Sequence, residues 1–196
     1  MSFHFTNDWF DITAKQNFAT LLPRFQPKRI VEIGAYEGRA TTWMATNLLP
    51  QELVCIDTWQ GGDEHKQEDM SKVMERFMHN CNVVRESHAV HVTRMVGESA
   101  KMLLGLASVP TRQYDFIYID GSHRAADVMT DAVLSFQLLR RGGVMAFDDY
   151  AWIEKPIEIA NPLDNPRLAI DSFYNVFRRQ LQVLCCDNAQ FWVVKR

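Results

Sequence analysis

Short runs of consecutive apolar residues alternate along this chain with stretches in which apolar residues recur at every third or fourth position. The short runs predict strands that are buried on both faces, and the helical spacing predicts helices that pack against them. Two further runs, separated by Asp187-Asn188-Ala189, predict a C-terminal hairpin. The alternation predicts an α/β fold built on a single doubly wound, Rossmann-like sheet that is mostly parallel and ends in an antiparallel hairpin. The predicted strands are 29–34, 53–57, 90–96, 114–120, 144–148, 181–186 and 190–194, and the predicted helices are 38–49, 99–106, 125–139 and 168–179. Gly142 and Gly143 are taken to end the helix at 125–139.

The length of 196 residues suits one domain. We expect residues 1–196 to form that single domain, with an N-terminal helical segment at 1–27. Residues 59–84 carry the weakest prediction of structure, because as far as Lys72 they are rich in Gly, Asp, Glu, His, Lys and Gln. They follow the second predicted strand, where loops often cover bound ligands, and are therefore a candidate lid.

The composition is that of a globular protein, since 47% hydrophobic and 23% charged residues exclude a disordered chain. The net charge of −3 and the pI near 6.1 provide no general attraction to phosphate backbones, so we expect no nucleic-acid partner. We find no secretory leader and no apolar run of about 20 residues. The four cysteines show neither zinc-site spacing nor a disulfide framework. We therefore expect a cytoplasmic protein without membrane contact, and the sequence leaves a homo-oligomer open.

A turn with two glycines follows the first predicted strand, in the sequence Glu32-Ile-Gly34-Ala-Tyr-Glu-Gly38. Glycines at a strand-to-helix turn let a ligand approach the backbone and the helix N-terminus. A dinucleotide fingerprint would instead have the spacing G-x-G-x-x-G, and Tyr36 stands where that fingerprint needs a small residue, so NAD is disfavoured. Asp57 ends the second strand, where a carboxylate can accept hydrogen bonds from ribose hydroxyls. Together these residues predict a ligand that contains a nucleoside, and tight turning alone is the structural alternative for the two glycines.

Three carboxylates and an imidazole follow two later strands. Asp120 and His123 come after the fourth predicted strand, and Asp148 and Asp149 after the fifth. In an open parallel sheet the carboxyl ends of the strands face one crevice, so these side chains should meet there. Clustered carboxylates repel each other unless they share protons or bind a hard cation, and we therefore interpret them as a divalent metal site. The structural alternatives are loop or helix capping by the aspartates and a plain helix-start role for His123.

The glycine turn and Asp57 resemble the corresponding parts of class I S-adenosylmethionine-dependent methyltransferases, and the resemblance covers residues 29–194. It implies that S-adenosylmethionine is the cofactor, with the turn on its methionine part and Asp57 on its ribose. The helix start after the third strand would lie beside the adenine. The cofactor-binding residues that the resemblance implies are Glu32, Gly34, Gly38, Asp57, Gly97, Glu98, Ser99 and Asp120.

A more specific similarity is carried by the segments YIDGSH (118–123) and FDDY (147–150). They resemble those of the metal-dependent O-methyltransferases of macrocin and other macrolide sugars, and more distantly catechol O-methyltransferase. This resemblance implies that Asp120, Asp148 and Asp149 hold Mg²⁺ and that His123 is the general base. The implied reaction is metal-assisted methylation of a small-molecule hydroxyl, on a vicinal diol, a sugar or a catechol-like ring. Two alternatives stay open, a metal-independent methyltransferase and a catalytically idle module that binds S-adenosylmethionine.

Overall fold

The computed structural model describes residues 2–62, 65, 68–109, 111–153 and 161–196. Within these residues the strands are β1 (Arg29–Ile33), β2 (Glu52–Asp57), β3 (Val92–Val96), β4 (Tyr114–Ile119), β5 (Leu139–Phe147), β6 (Leu181–Cys186) and β7 (Phe191–Lys195). The helices are α1 (Trp9–Thr13), α2 (Lys15–Phe25), α3 (Arg39–Leu48), α4 (Met70–His88), α5 (Ser99–Ala107), α6 (Ala125–Leu138) and α7 (Arg167–Phe177), together with a 3₁₀ turn at Pro162–Asp164.

The seven strands of the described residues form one sheet in the order β3-β2-β1-β4-β5-β7-β6. The strands from β3 to β5 in this order are parallel, and β7 runs antiparallel to both β5 and β6. This topology confirms the predicted α/β sheet with its C-terminal antiparallel hairpin. The chain builds outward from β1 to β3 and then returns to place β4 on the other side of β1. The carboxyl ends of β1 and β4 are therefore neighbours where the order reverses, which is where such sheets bind ligands.

Helices cover both faces of the sheet, which explains why the central parallel strands β1, β2 and β4 are buried along most of their length and have nearly continuous apolar sequences. Val31 and Ile33 of β1 join the core on the side of α5, α6 and α7, whereas Ile30 joins the core on the side of α2, α3 and α4. In the second of these cores, Phe18 packs edge-on against Tyr118, with ring centroids 4.9 Å apart. This contact packs α2 against β4 close to the edge at which the parallel strands end.

The segment 59–84, for which the sequence predicted no regular element, contains most of α4. Val73, Phe77 and Val84 of this helix are buried in the core, and Asp69 caps it by accepting the Ser71 N–H at 3.2 Å. The buried residues have helical spacing, but the charged and polar residues between them obscure the period. Residues 63, 64, 66 and 67 lie outside the described residues, and covering of a ligand by the loop before α4 stays a prediction.

Strand β5 begins at Leu139 rather than at residue 144, and α6 ends at Leu138. The glycines at 142 and 143, which predicted the end of the helix, lie inside this strand instead. Gly142 has a φ of 75°, and the register with β4 shifts between Tyr114 and Phe116. The glycines thus mark an irregularity in the strand, a second situation in which glycine is favoured.

The N-terminal helical segment, predicted at residues 1–27, contains the helices α1 and α2. From α2, Phe18, Leu21 and Leu22 are buried in the core. Among the helices of the described residues, none combines the length and the apolar character needed to cross a bilayer.

Candidate active site

The turn between β1 and α3 has left-handed backbone conformations at Gly34 (φ 85°), Tyr36 (φ 46°) and Gly38 (φ 80°). A Cβ atom at residue 34 would lie 1.8 Å from the carbonyl oxygen of Asp120, so only glycine permits this approach. At residue 38, a Cβ atom would lie 2.9 Å from the ring of Phe77. Gly34 therefore brings the turn against the end of β4, and a ligand bound at the turn would border on Asp120.

Asp57, at the end of β2, holds this turn from the side. Its Oδ2 accepts the N–H groups of Ala35 and Tyr36, both at 2.9 Å, and its Oδ1 accepts the N–H of Trp59 at 2.7 Å. A carboxylate has about four acceptor positions, so these contacts leave room for one more hydrogen bond. Recognition of a ribose hydroxyl by Asp57 stays a prediction, and the role that the structure adds is support of the turn.

Glu32 points into the protein beneath the turn and is 1% exposed. Its carboxylate accepts hydrogen bonds from Thr41 Oγ1 and from the Cys55 thiol, the latter at 3.1 Å. Burial raises the pKa of Glu32 to about 7, although these two hydrogen bonds oppose the rise. Glu32 thus joins β1 to α3 and β2, and its contact with a cofactor stays a prediction.

The segment predicted to lie beside an adenine connects β3 to α5. The Gly97 N–H donates to the carbonyl of Asp57 at 2.9 Å, which fixes the segment to the end of β2. The Glu98 side chain is 67% exposed and pairs with Lys101 at 2.8 Å. Ser99 begins α5, and burial raises the pKa of Asp131 of α6 to about 6, although the Ser99 side chain acts to lower it. The segment therefore lies at the same edge of the sheet as the glycine turn.

Asp120 and Asp148 follow β4 and β5 and are joined by a tyrosine that the sequence reasoning missed. The Tyr118 hydroxyl lies 3.0 Å from Asp120 Oδ2 and also contacts Asp148 Oδ2. Burial and the repulsion between the carboxylates raise the pKa of Asp120 well above its ordinary value and that of Asp148 to about 7. A single hydroxyl proton cannot neutralise two carboxylates, so the pair favours a further proton or a cation. Tyr118 could have been found, since it precedes Asp120 by two positions and so lies on the same face of the strand.

His123 and Asp149 contact each other, with Nε2 2.9 Å from Oδ2. The His123 ring packs against Trp152, with centroids 3.9 Å apart, a contact that the sequence pattern does not predict. Asp149 has a φ of 56°, a conformation that costs a non-glycine residue about 1–2 kcal/mol and is often found at functional sites. The crevice that results is lined by all four predicted metal and catalytic residues, namely Asp120, His123, Asp148 and Asp149.

The fit of a metal ion to this crevice is partial. Among the residues that the structure describes, no three His, Cys, Asp or Glu side chains form a group that could hold a metal ion. Asp148 Oδ1, however, is buried and makes no hydrogen bond to any described residue, although the Gln190 side chain helps to lower the pKa of this carboxyl. Mg²⁺ commonly binds through one or two carboxylates and retains water ligands. The donor chemistry therefore suits Mg²⁺, and binding of the ion by Asp120, Asp148 and Asp149 stays a prediction.

Comparison with known proteins finds a matching family and several similar proteins. A family model described as a methyltransferase domain matches residues 31–150, a range that contains the glycine turn and the three acids. The uncharacterised protein R132 of Acanthamoeba polyphaga mimivirus is 28% identical over 121 residues, which are 61% of this chain and 50% of that protein. The probable caffeoyl-CoA O-methyltransferase 3 of Dictyostelium discoideum is 25% identical over 142 residues, which are 71% of this chain and 50% of that protein. The chain thus spans about half the length of the curated relatives it matches.

Among solved structures, an O-methyltransferase from Bacillus cereus in complex with SAH has a similar fold. The TM-score is 0.69 at 18% identity, and the match covers 95% of this chain and 83% of that one. At this identity the likeness concerns the fold alone, and it agrees with the seven-stranded sheet described above.

Proposed function

Since this chain belongs to the methyltransferase domain family, we propose that it transfers a methyl group from S-adenosylmethionine to a hydroxyl oxygen of a small-molecule acceptor. The observation that carries the proposal is the contact of Gly34 with the backbone of Asp120. Because of this contact, a cofactor at the glycine turn would lie beside an acceptor in the acid-lined crevice. Methyl transfer is an in-line displacement that needs such adjacency, since the reacting atoms must come within about 3–3.5 Å.

The acceptor hydroxyl must lose its proton as its oxygen bonds to the methyl carbon. We assign the base to His123, whose ring is held in the crevice by Asp149 at 2.9 Å and by Trp152. When the imidazole accepts the proton, the Asp149 carboxylate stabilises the resulting positive charge. The C–S bond breaks as the O–C bond forms, and its electron pair stays on the sulfur. The position of the ring in the crevice and its contact with Asp149 support this assignment.

We further propose that Asp120, Asp148 and Asp149 would hold a divalent cation such as Mg²⁺. The raised pKa values of Asp120 and Asp148 and the buried Oδ1 of Asp148 support this assignment. A cation bound there would lower the pKa of a coordinated hydroxyl and could be chelated by two adjacent acceptor oxygens. The acceptor class is therefore a vicinal diol, a sugar or a catechol-like ring.

Calorimetric titration of S-adenosylmethionine into chelator-treated protein, repeated with Mg²⁺, tests both proposals. We expect the wild type to bind the cofactor and Mg²⁺, and Asp148→Asn and Asp149→Asn to lose Mg²⁺ binding. Asp115→Asn is the matched control, because Asp115 pairs with Arg140 at the opposite end of β4 and should keep both. Failure of the wild type to bind the cofactor would overturn the proposed reaction. Cofactor binding without Mg²⁺ binding would refute the proposed cation site but would leave the proposed methyl transfer standing.

A metal-independent methyltransferase is the second candidate. It is favoured by the absence, among the described residues, of a three-residue group that could hold a metal ion. In that enzyme the acids would orient the acceptor through hydrogen bonds. Methylation of a diol that persists in EDTA would support this candidate, whereas loss in EDTA and recovery with Mg²⁺ would support the cation. Tight S-adenosylmethionine binding without turnover on any diol would instead identify an idle binding module.

A further inference from the structure

The N-terminal segment, defined here as residues 2–13, is hydrogen-bonded to the glycine turn through Glu37, a buried carboxylate that the proposed mechanism does not use. Glu37 lies within the turn and is 1% exposed. Its Oε2 accepts the Thr6 N–H and its Oε1 accepts the Thr6 hydroxyl, both at 2.7 Å. The Arg76 guanidinium of α4 also binds Oε1. Both oxygens of Glu37 are therefore engaged by the N-terminal segment and α4.

A second buried side chain, that of Asn80, hydrogen-bonds to the N-terminal segment. Asn80 of α4 accepts the His4 N–H at 2.8 Å and donates to the carbonyl oxygens of His4 and Glu37, each at 2.8 Å. A single amide group thus joins the N-terminal backbone to the backbone of the turn. Arg39, the first residue of α3, adds a hydrogen bond to the Asn7 carbonyl at 2.9 Å.

The turn depends on such support because its backbone is strained. Tyr36 has a left-handed φ of 46°, which is unfavourable for a residue with a side chain. Asp57 holds the turn through the N–H groups of Ala35 and Tyr36, while Glu37 and Asn80 hold it from the side of the N-terminal segment. A strained conformation persists only where its surroundings determine it, so loss of these contacts would release the turn.

We propose that Glu37 is a positioning residue through which docking of residues 2–13 holds the turn in the conformation that binds the cofactor. This inference rests on the proposed function, because it takes the turn to be the S-adenosylmethionine site. Coupling between two binding events is reciprocal. Docking of the segment must therefore raise the affinity for the cofactor, and the cofactor must tighten docking of the segment by the same factor.

The first test measures cofactor affinity by calorimetry in Glu37→Gln and Thr6→Ala. In Glu37→Gln, one acceptor oxygen is replaced by an amide that cannot accept. We expect the Kd for S-adenosylmethionine to rise roughly tenfold, the equivalent of one hydrogen bond to a charged group, with kcat retained at saturating cofactor. Thr6→Ala removes only the hydroxyl and should raise the Kd less. Glu52→Gln is the control, because this carboxylate pairs with two arginines at the other end of β2, and its loss should leave the Kd unchanged.

The second test uses wild-type protein and measures amide hydrogen exchange with and without S-adenosylmethionine. The amides of His4 and Thr6 donate to Asn80 and Glu37, and their exchange should slow when the cofactor is added. The Gln51 amide, which donates to the Lys28 carbonyl at 2.8 Å, lies at the opposite end of the sheet and should not respond.

The outcomes separate this inference from the proposed function. Failure of the wild type to bind the cofactor would overturn the proposed function itself. Cofactor binding in the wild type with unchanged affinity in both variants, or with exchange at His4 and Thr6 that ignores the cofactor, would overturn only the role of Glu37. If Glu37→Gln fails to fold, Thr6→Ala and the exchange measurement decide.

Discussion

Replacing Glu32 with glutamine should change how the stability of the protein depends on pH. Glu32 is 1% exposed, and burial raises its pKa from the ordinary 4.5 to about 7. A carboxyl with a raised pKa keeps its proton in the folded protein after the unfolded chain has lost it. Folding therefore becomes less favourable as the pH rises from about 4.5 to about 7, and the loss persists above that range. A rise from 4.5 to about 7 corresponds to about 3 kcal/mol.

Urea unfolding of the wild type and Glu32→Gln at pH 5 and at pH 8, without cofactor, measures this effect. Glutamine does not titrate, so the variant lacks the contribution of Glu32 at both pH values. Its buried amide costs about 1–3 kcal/mol if it is left without a partner, but that cost does not depend on pH. We expect the free energy of unfolding of the wild type, minus that of the variant, to fall by about 2–3 kcal/mol from pH 5 to pH 8.

Glu52→Gln provides the control for this experiment. Burial acts to raise the pKa of Glu52, but hydrogen bonds from Arg112 and Arg29 outweigh it and lower the pKa below its ordinary value of 4.5. The stability that a lowered pKa contributes is present above about 4.5 and is lost only as the pH falls further. The difference between wild type and Glu52→Gln should therefore be nearly the same at pH 5 and pH 8. An equally constant difference for Glu32→Gln would refute the raised pKa of Glu32.

Two further substitutions test the geometry of the site. Gly34→Ala should destabilise the protein by roughly 3 kcal/mol or more, because its Cβ would lie 1.8 Å from the Asp120 carbonyl. Gly105→Ala is the control, because the helix leaves open space there, and it should stabilise the protein by about 0.5–1 kcal/mol. Equal melting temperatures for the two variants would contradict this prediction. Tyr118→Phe removes the hydroxyl that hydrogen-bonds to Asp120 and Asp148 and lowers the pKa of both. Because this hydrogen bond stabilises the ionised carboxylates, the free energy of unfolding in urea should fall by about 1–3 kcal/mol at pH 8 and by less at pH 5. A loss that is the same at both pH values would count against the hydrogen bonds from Tyr118.

Much of the sheet could be predicted because β1, β2 and β4 are buried along most of their length and so are almost continuously apolar. The methyltransferase family that the glycine turn and acid segments indicated is confirmed by the match over residues 31–150. The helix α4 was missed because Val73, Phe77 and Val84 stand among charged residues that weaken the period. The start of β5 was missed because its glycines were interpreted as the end of a helix, although glycine also suits an irregular strand.

The chemistry of the site was predictable as far as it depends on where strands end. Parallel strands place the residues that follow them at one edge, so Asp120 and Asp148 were expected to meet, and both line one crevice. The hydrogen-bond partners of these acids depend on strand register and turn geometry, which hydrophobic periodicity does not indicate. The bridge through Tyr118 depends on the register of β4 against β5, and the contact of His123 with Asp149 depends on a left-handed residue that no periodicity indicates. Similarly, Thr6 and Glu37 are 31 positions apart, and no pattern connects them. Hydrophobic periodicity therefore predicts where strands end and which residues follow them at the edge of the sheet, whereas register and turn geometry determine how the side chains there share protons and support one another.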